Sequence, residues 1–251
     1  MNPRILVATT GRILAQLRSD HRTVAMILLV PTLLMVLLYF LYQDVPTAPG
    51  EPSLYSRIAV TMLGVLPFVV MFLVTSIAMQ RERSSGTLER LLTTPLAKFD
   101  LLGGYAAAFS AAAIAQAALA CAAAFGFLGI ETAGSVAWVV TIAVLNAILG
   151  VALGLLCSAF ARTEFQAVQF MPVVVIPQFL LCGLLVPRDQ LPTWLEWVSN
   201  VLPLSYAVDA LGQVTVHPGV TGLMLRDLAV VLGFVVVSLT LAAATLRRRT
   251  P

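Results

Sequence analysis

Six apolar stretches, Val24–Tyr42, Ile58–Met79, Leu101–Leu128, Val136–Phe160, Ala167–Val186 and Leu225–Leu246, take up more than half of this 251-residue chain. About 20 helical residues cross the hydrocarbon core of a bilayer, and each stretch is about that long or longer. Lipid offers the backbone no hydrogen-bond partners, so stretches of this kind must be helical. The expected fold is therefore all-α and integral to the membrane, with six transmembrane helices. Charge content agrees: 11% of residues are charged, against about a quarter in soluble domains. Only short loops remain between the spans, so residues 1–251 read as a single transmembrane domain with no room for a separate catalytic one. The first stretch starts too late and runs too long for a cleavable signal peptide, and Tyr42-Gln-Asp-Val is a poor cleavage site, so the mature chain is expected to keep its N-terminus.

Orientation follows from Lys and Arg. With the N-terminus in the cytoplasm, Arg4, Arg12, Arg18, Arg22, Arg81, Arg83, Arg90, Lys98, Arg162, Arg247, Arg248 and Arg249 fall on the cytoplasmic side, and only Arg57, Arg188 and Arg226 on the other. Twelve against three is a strong positive-inside bias. Six spans return the C-terminus to the same side, so both termini are expected to be cytoplasmic. The net charge of +3 is then explained by topology and by contact with anionic membrane lipid, and implies no nucleic-acid partner.

Catalytic chemistry is not legible. Cys121, Cys157 and Cys182 lie in or at the edge of spans without metal-ligand spacing, and His21 and His217 fall on opposite sides of the membrane. No HExxH, no Ser-His-Asp grouping and no GxxxxGK[ST] phosphate loop is present. The chain is expected to be no enzyme and to hold no metal or cofactor.

The densest charge cluster lies between the second and third spans, from Arg81 to Asp100. Gly86 lies three residues before Glu89, and Leu88, Leu91 and Leu92 fall at i, i+3 and i+4 until Pro95 stops the turn. This predicts a short amphipathic helix outside the membrane. A second amphipathic segment opens the chain: Ile5, Leu6, Ile13, Leu14 and Leu17 share a face flanked by Arg4, Arg12 and Arg18, as in a helix lying on the membrane surface over residues 1–22.

The run Glu82-Arg-Ser-Ser-Gly-Thr-Leu-Glu-Arg-Leu-Leu-Thr-Thr-Pro95 resembles the loop after the second span in permeases of the ABC type 2 exporter class. So does the block after the fifth span, Cys182-Gly-Leu-Leu-Val-Pro187, Leu191-Pro-Thr-Trp-Leu195 and Leu202-Pro-Leu-Ser-Tyr-Ala-Val-Asp209. The resemblance covers essentially the whole chain. It implies that residues 80–100 hold a coupling helix docking on an ATPase, with Glu82, Gly86, Thr87, Glu89, Leu92 and Pro95 as the coupling residues. It further implies short re-entrant outer helices over 187–210, a cap built with Gly183, Pro187, Pro192, Trp194, Pro203 and Tyr206. The residues suit that assignment: Trp194, Trp197 and Tyr206 fit a membrane interface, and Pro192 and Pro203 cut the segment into pieces too short to span.

The implied function is that of a drug- or antibiotic-efflux-like permease in a bacterial inner membrane. Its partners would be two copies of a cytoplasmic ABC ATPase using ATP and Mg²⁺, and a second permease copy or a homologous permease. With no charge in the middle of any span, the cargo would be an apolar or amphipathic small molecule, a drug or lipid-like compound. Gln169 and Gln178 are the residues the resemblance would place on a substrate pathway. They stand nine residues apart, about half a turn in azimuth on an ideal helix, so both can face one pathway only if Pro172 and Pro177 distort the span. Gly150-Val-Ala-Leu-Gly154 is a GxxxG match, a hint of close helix crossing. A channel or secondary transporter, or a membrane anchoring subunit, are the alternative classes. The former typically places an ionisable group near the midplane, and none is found there.

Overall fold

The computed structural model describes residues 3–46, 53–86 and 98–245. The helices run α1 Pro3–Ser19, α2 His21–Tyr42, α3 Leu54–Ser84, α4 Lys98–Gly126, α5 Val136–Ser158, α6 Glu164–Leu181, α7 Thr193–Val201, α8 Pro203–Val216 and α9 Gly222–Thr245, with a 3₁₀ turn, η1, at Arg188–Gln190. Six of them, α2 to α6 and α9, are long and apolar enough to cross a membrane. The fold is all-helical and the protein a multi-pass membrane protein, as the apolar stretches predict. The fifth span differs from expectation: α6 ends at Leu181, not Val186, because Gly183 adopts φ +94°, which no helix can accommodate.

In lipid the hydrophobic effect does not drive helices together, and close van der Waals contact between small residues takes its place. The most extensive packing in the chain, between α3 and α5, is of this kind. The GxxxG glycines of α5 lie directly on the backbone of α3. A Cβ on Gly150 would come 2.3 Å from the carbonyl oxygen of Phe68, and one on Gly154 would come 2.6 Å from that of Phe72. One turn earlier, Asn146 Nδ2 donates to the Gly64 carbonyl at 2.7 Å. Residues 146, 150 and 154 thus meet 64, 68 and 72 in parallel register, one turn per step. Pro67 has no N–H to give, and the Asn146 bond falls in the turn its ring interrupts.

Around this pair the remaining helices are held unequally. In the most apolar 18 residues of each, 67% of α3 and 61% of α5 are buried, against 17% in both α2 and α6. α8 is short but central: Leu204, Ala207, Ala210 and Leu211 are buried in the main core with Phe68, Phe72 and Ile142. The loop after α4 is pinned to the end of α8 by Gly134 N–H donating to the Val214 carbonyl at 2.9 Å. α7 and α8 form a hook tied back to α6. Ser199 Oγ donates to the Leu181 carbonyl at 2.8 Å, and Gln178 Oε1 accepts from Leu204 N–H at 3.3 Å.

α1 and α2 meet at Asp20, whose carboxylate caps α2 by accepting from Thr23 Oγ1 at 2.7 Å and Thr23 N–H at 3.2 Å. The hydrogen bonds from Thr23 lower the Asp20 pKa below its ordinary 3.8.

Two predictions follow from this packing. Gly150→Ala should lower stability by about 1–3 kcal/mol, since a backbone carbonyl cannot yield to the new methyl. Gly233→Ala, on a part of α9 where a Cβ meets nothing within 4 Å, should be neutral or slightly stabilising; thermal unfolding in detergent checks both. At the α1–α2 joint, Asp20→Ala should cost about 1 kcal/mol of helix-end stability, read as faster amide exchange at Thr23. Because the folded-state pKa is depressed, this protection is present above pH 3.8 and is lost as pH falls through the lower folded value. The variant should show no such pH step.

Candidate functional site

α3 ends in Arg81-Glu82-Arg83-Ser84, and its charged residues do not share one environment. Glu82 turns inward, with its side chain 13% exposed, and meets two other helices. Arg12 of α1 donates to its Oε1 at 3.2 Å and to Tyr105 Oη at 3.2 Å, and the Tyr105 hydroxyl of α4 donates to the same carboxylate oxygen. The Arg12 guanidinium also lies 6.0 Å from the centre of the Tyr105 ring. One carboxylate therefore holds three helices, with every bond charge-assisted. Gly104 makes the approach possible: a Cβ there would lie 2.5 Å from Thr9 Cγ2, so only glycine lets α1 settle on α4 at this point.

Arg81 reaches outward to Glu164 at the start of α6, at 3.3 Å, in an exposed pair of the kind worth about 0–1 kcal/mol. Gly86 then turns the chain out of α3 at φ +71°. Of the residues expected to couple to a partner, Glu82 and Gly86 are thus located at the end of α3. Thr87, Glu89, Leu92 and Pro95 lie outside the described residues, as does the amphipathic helix expected around them. We call this end of the bundle the basic face.

At the opposite face, Trp194, Pro203 and Tyr206 of the expected cap lie on the hook, while Pro192 precedes α7, Pro187 precedes η1 and Gly183 follows the end of α6. Trp194 and Trp197 on α7 are 68% and 72% exposed, as interfacial aromatics would be. Pro203 starts α8 and is buried, and the Tyr206 hydroxyl donates to the Asn200 carbonyl at 2.7 Å. The hook is locked by a residue that the sequence pattern did not single out. Arg188, on η1, pairs with Asp209 of α8 and Asn200 of α7, and its guanidinium stacks 5.6 Å from the Tyr206 ring centre. Burial pushes the Asp209 carboxyl up while Arg188 beside it pulls the other way. Nearby, Asp227 on α9 is buried and accepts from Arg226 at 2.8 Å. A lone Asp in an otherwise apolar helix, facing one of only three arginines on that side, was the available signal.

The two glutamines are not brought together. α6 remains one helix through Pro172 and Pro177, leaving Gln169 exposed and Gln178 buried. The Gln178 amide is occupied at both ends, donating to the Val174 carbonyl at 3.0 Å and accepting from Leu204 N–H.

The comparison with protein families matches residues 4–215 of this geometry to the model described as ABC-2 type transporter. The chain belongs to the ABC-2 type transporter family. The match spans α1, the Glu82 junction and the hook through most of α8. Among curated relatives, the chain is 32% identical over 163 residues to the probable multidrug ABC transporter permease YbhR of Escherichia coli (strain K12), covering 65% of this chain and 42% of that protein. It is 28% identical over 172 residues to ABC transporter G family member 20 of Dictyostelium discoideum, covering 67% and 23%. Nodulation protein J of Rhizobium meliloti (strain 1021) is 27% identical over 175 residues, covering 67% and 64%. The match thus spans under half the length of the first protein and under a quarter of the second.

If the Arg12–Glu82–Tyr105 junction holds α1 against this ABC-2 bundle, Glu82→Gln should destabilise it by about 1–3 kcal/mol. Hydrogen exchange in α1 should accelerate while the α3–α5 contact stays protected. In a double-mutant cycle, Arg12→Ala and Glu82→Gln should be non-additive, since each removes the same bond.

Proposed function

We propose that the chain is the membrane subunit of an ATP-binding-cassette exporter, moving an apolar or amphipathic compound out of the cytoplasm with energy from ATP hydrolysed on a separate subunit. The observation that carries this reading is the placement of the half-buried Glu82 junction within a matched ABC-2 domain, inside the coupling loop expected over residues 80–100. A force applied to that loop would reach α3 directly, and through Glu82 it would also reach α1 and α4.

In this reading the basic face is cytoplasmic, in a bacterial inner membrane, with both termini on that side. Two copies of the ATPase dock there, using ATP and Mg²⁺, and a second permease copy or a homologous permease completes the transporter. Closure of the ATPases displaces the coupling loops, and the tightly packed spans convert this into alternating exposure of the pathway. Drug-like cargo is supported by the multidrug permease among the relatives and by the lack of charge along the middle of the spans.

The test is a tagged chain purified in mild detergent with its associated proteins, assayed for ATPase activity and, after reconstitution, for transport. A stoichiometric partner carrying a phosphate-binding loop is expected. Glu89→Lys should leave membrane insertion intact and lower coupled transport by about tenfold or more, equivalent to about 1.4 kcal/mol lost at the docking surface. A chain that purifies alone, with no ATPase activity under conditions preserving the complex, would contradict the reading.

A further inference from the structure

At the face opposite the basic one, a cleft of about 660 Å³ opens between the first turns of α3 and α9, the η1 segment and α8. Six charged residues line it: Arg57, Arg188, Asp189, Asp209, Arg226 and Asp227. Four of them are paired with each other, Arg188 with Asp209 and Arg226 with Asp227. Arg57 and Asp189 are different: both are exposed, and neither side chain has a hydrogen bond or ion pair among the described residues. Arg226 keeps 60% of its side chain open to the surroundings, although one side of its guanidinium is bonded to Asp227. The cleft therefore presents an unpaired positive charge on its α3 wall, the open side of the paired Arg226 guanidinium on its α9 wall, and an unpaired carboxylate at η1.

Apolar groups share the same lining. Ile58 and Leu223 lie beside the arginines. Leu223 is 51% exposed, and Val230 and Val237, the latter 53% exposed, follow Arg226 at helical spacing on its face of α9. The charges sit in the first turns of two spans, at the depth of the headgroups of one leaflet, and the aliphatic stripe runs from there toward the membrane interior.

A simple anion in this cleft would meet Asp189, and a simple cation would meet Arg57. A ligand with both charges a few bonds apart satisfies both, and one with acyl chains also covers the stripe. We propose that the cleft seats a membrane phospholipid whose headgroup carries a primary ammonium beside its phosphate. The phosphate lies against Arg57 and Arg226, the ammonium against Asp189, and the chains run along α9. The ammonium must carry N–H groups for Asp189 to accept: a primary one does, whereas a trimethylated nitrogen has none to give. The site requires neither ATP nor a partner chain.

The test is native mass spectrometry of the full chain in mild detergent, offered phosphatidylethanolamine, phosphatidylglycerol and phosphatidylcholine at equal ratio. Phosphatidylethanolamine should be retained about tenfold over the others, as expected for one extra charge-assisted bond. Arg57→Gln should lower retention of both phosphatidylethanolamine and phosphatidylglycerol. Asp189→Asn should remove only the preference between them. Both side chains are exposed and unpaired, so both variants should unfold at the wild-type temperature, and that measurement separates loss of the site from loss of the fold. Equal retention of the three lipids by the wild type, unchanged retention by Arg57→Gln, or an unchanged preference in Asp189→Asn would overturn the proposal. Displacement of the lipid by millimolar inorganic phosphate would also overturn it, assigning the cleft to a soluble anion.

Discussion

The backbone-to-backbone contact between α3 and α5 is the constraint on which the rest of the molecule depends. With Gly150 and Gly154 lying on the carbonyls of Phe68 and Phe72, the two helices approach more closely than any side chain would allow. Such proximity gains dispersion and weak Cα–H···O contacts over a long seam, which is how apolar helices associate where lipid is as apolar as they are. Asn146 adds a directional bond to the Gly64 carbonyl and fixes the register. α8 can then fill the groove beside the pair, with Leu211 against Gly64, and α4 and α9 can pack on α5.

This arrangement gives α3 a part in the central seam, in the Glu82 junction and in the opposite cleft. Its middle is fused to α5, its last turn holds Glu82 against Arg12 and Tyr105, and its first turn carries Arg57 to the opposite cleft. α2 and α6, by contrast, bury only 17% of their most apolar stretch and are joined to the rest by fewer and weaker ties, among them the exposed Arg81–Glu164 pair. In the exporter reading, a tightly packed α3–α5 unit flanked by two lightly held spans is a mechanical division of labour, in which the unit would move as a body and the flanking helices would accommodate it. In the exporter reading, the input to that body arrives at Glu82.

Much of the fold was legible because spans announce themselves by length and hydropathy, and the outcome departs mainly at helix ends, as at Leu181. The GxxxG motif of Gly150 and Gly154 was visible too, but its partner was not, because nothing in α3 marks the Phe68 and Phe72 carbonyls as a landing surface. The candidate site was legible only in part. Glu82 was named in sequence as a coupling residue of the charge cluster, but its inward turn depends on Arg12 and Tyr105, which stand 70 residues before and 23 after it. The Arg188–Asp209 pair was passed over for the same reason: a pair 21 residues apart is formed by the hook, and no local pattern predicts it. The glutamines of α6 show the reverse. Their half-turn separation argued against a shared face unless the prolines distorted the helix, and Gln169 and Gln178 do point to different surroundings.

The most direct test of the rigid unit is distance measurement by paired spin labels in the reconstituted complex, with and without nucleotide. Labels at Ser84 and Phe160, both exposed at the basic face, report on α3 against α5; a label at Phe165 paired with Ser84 reports on α6. The account predicts that the Ser84–Phe160 distance stays within about 2 Å across nucleotide states while the Ser84–Phe165 distance changes by more. A shift of several ångströms between Ser84 and Phe160 would show that α3 and α5 separate during the cycle, and would contradict it.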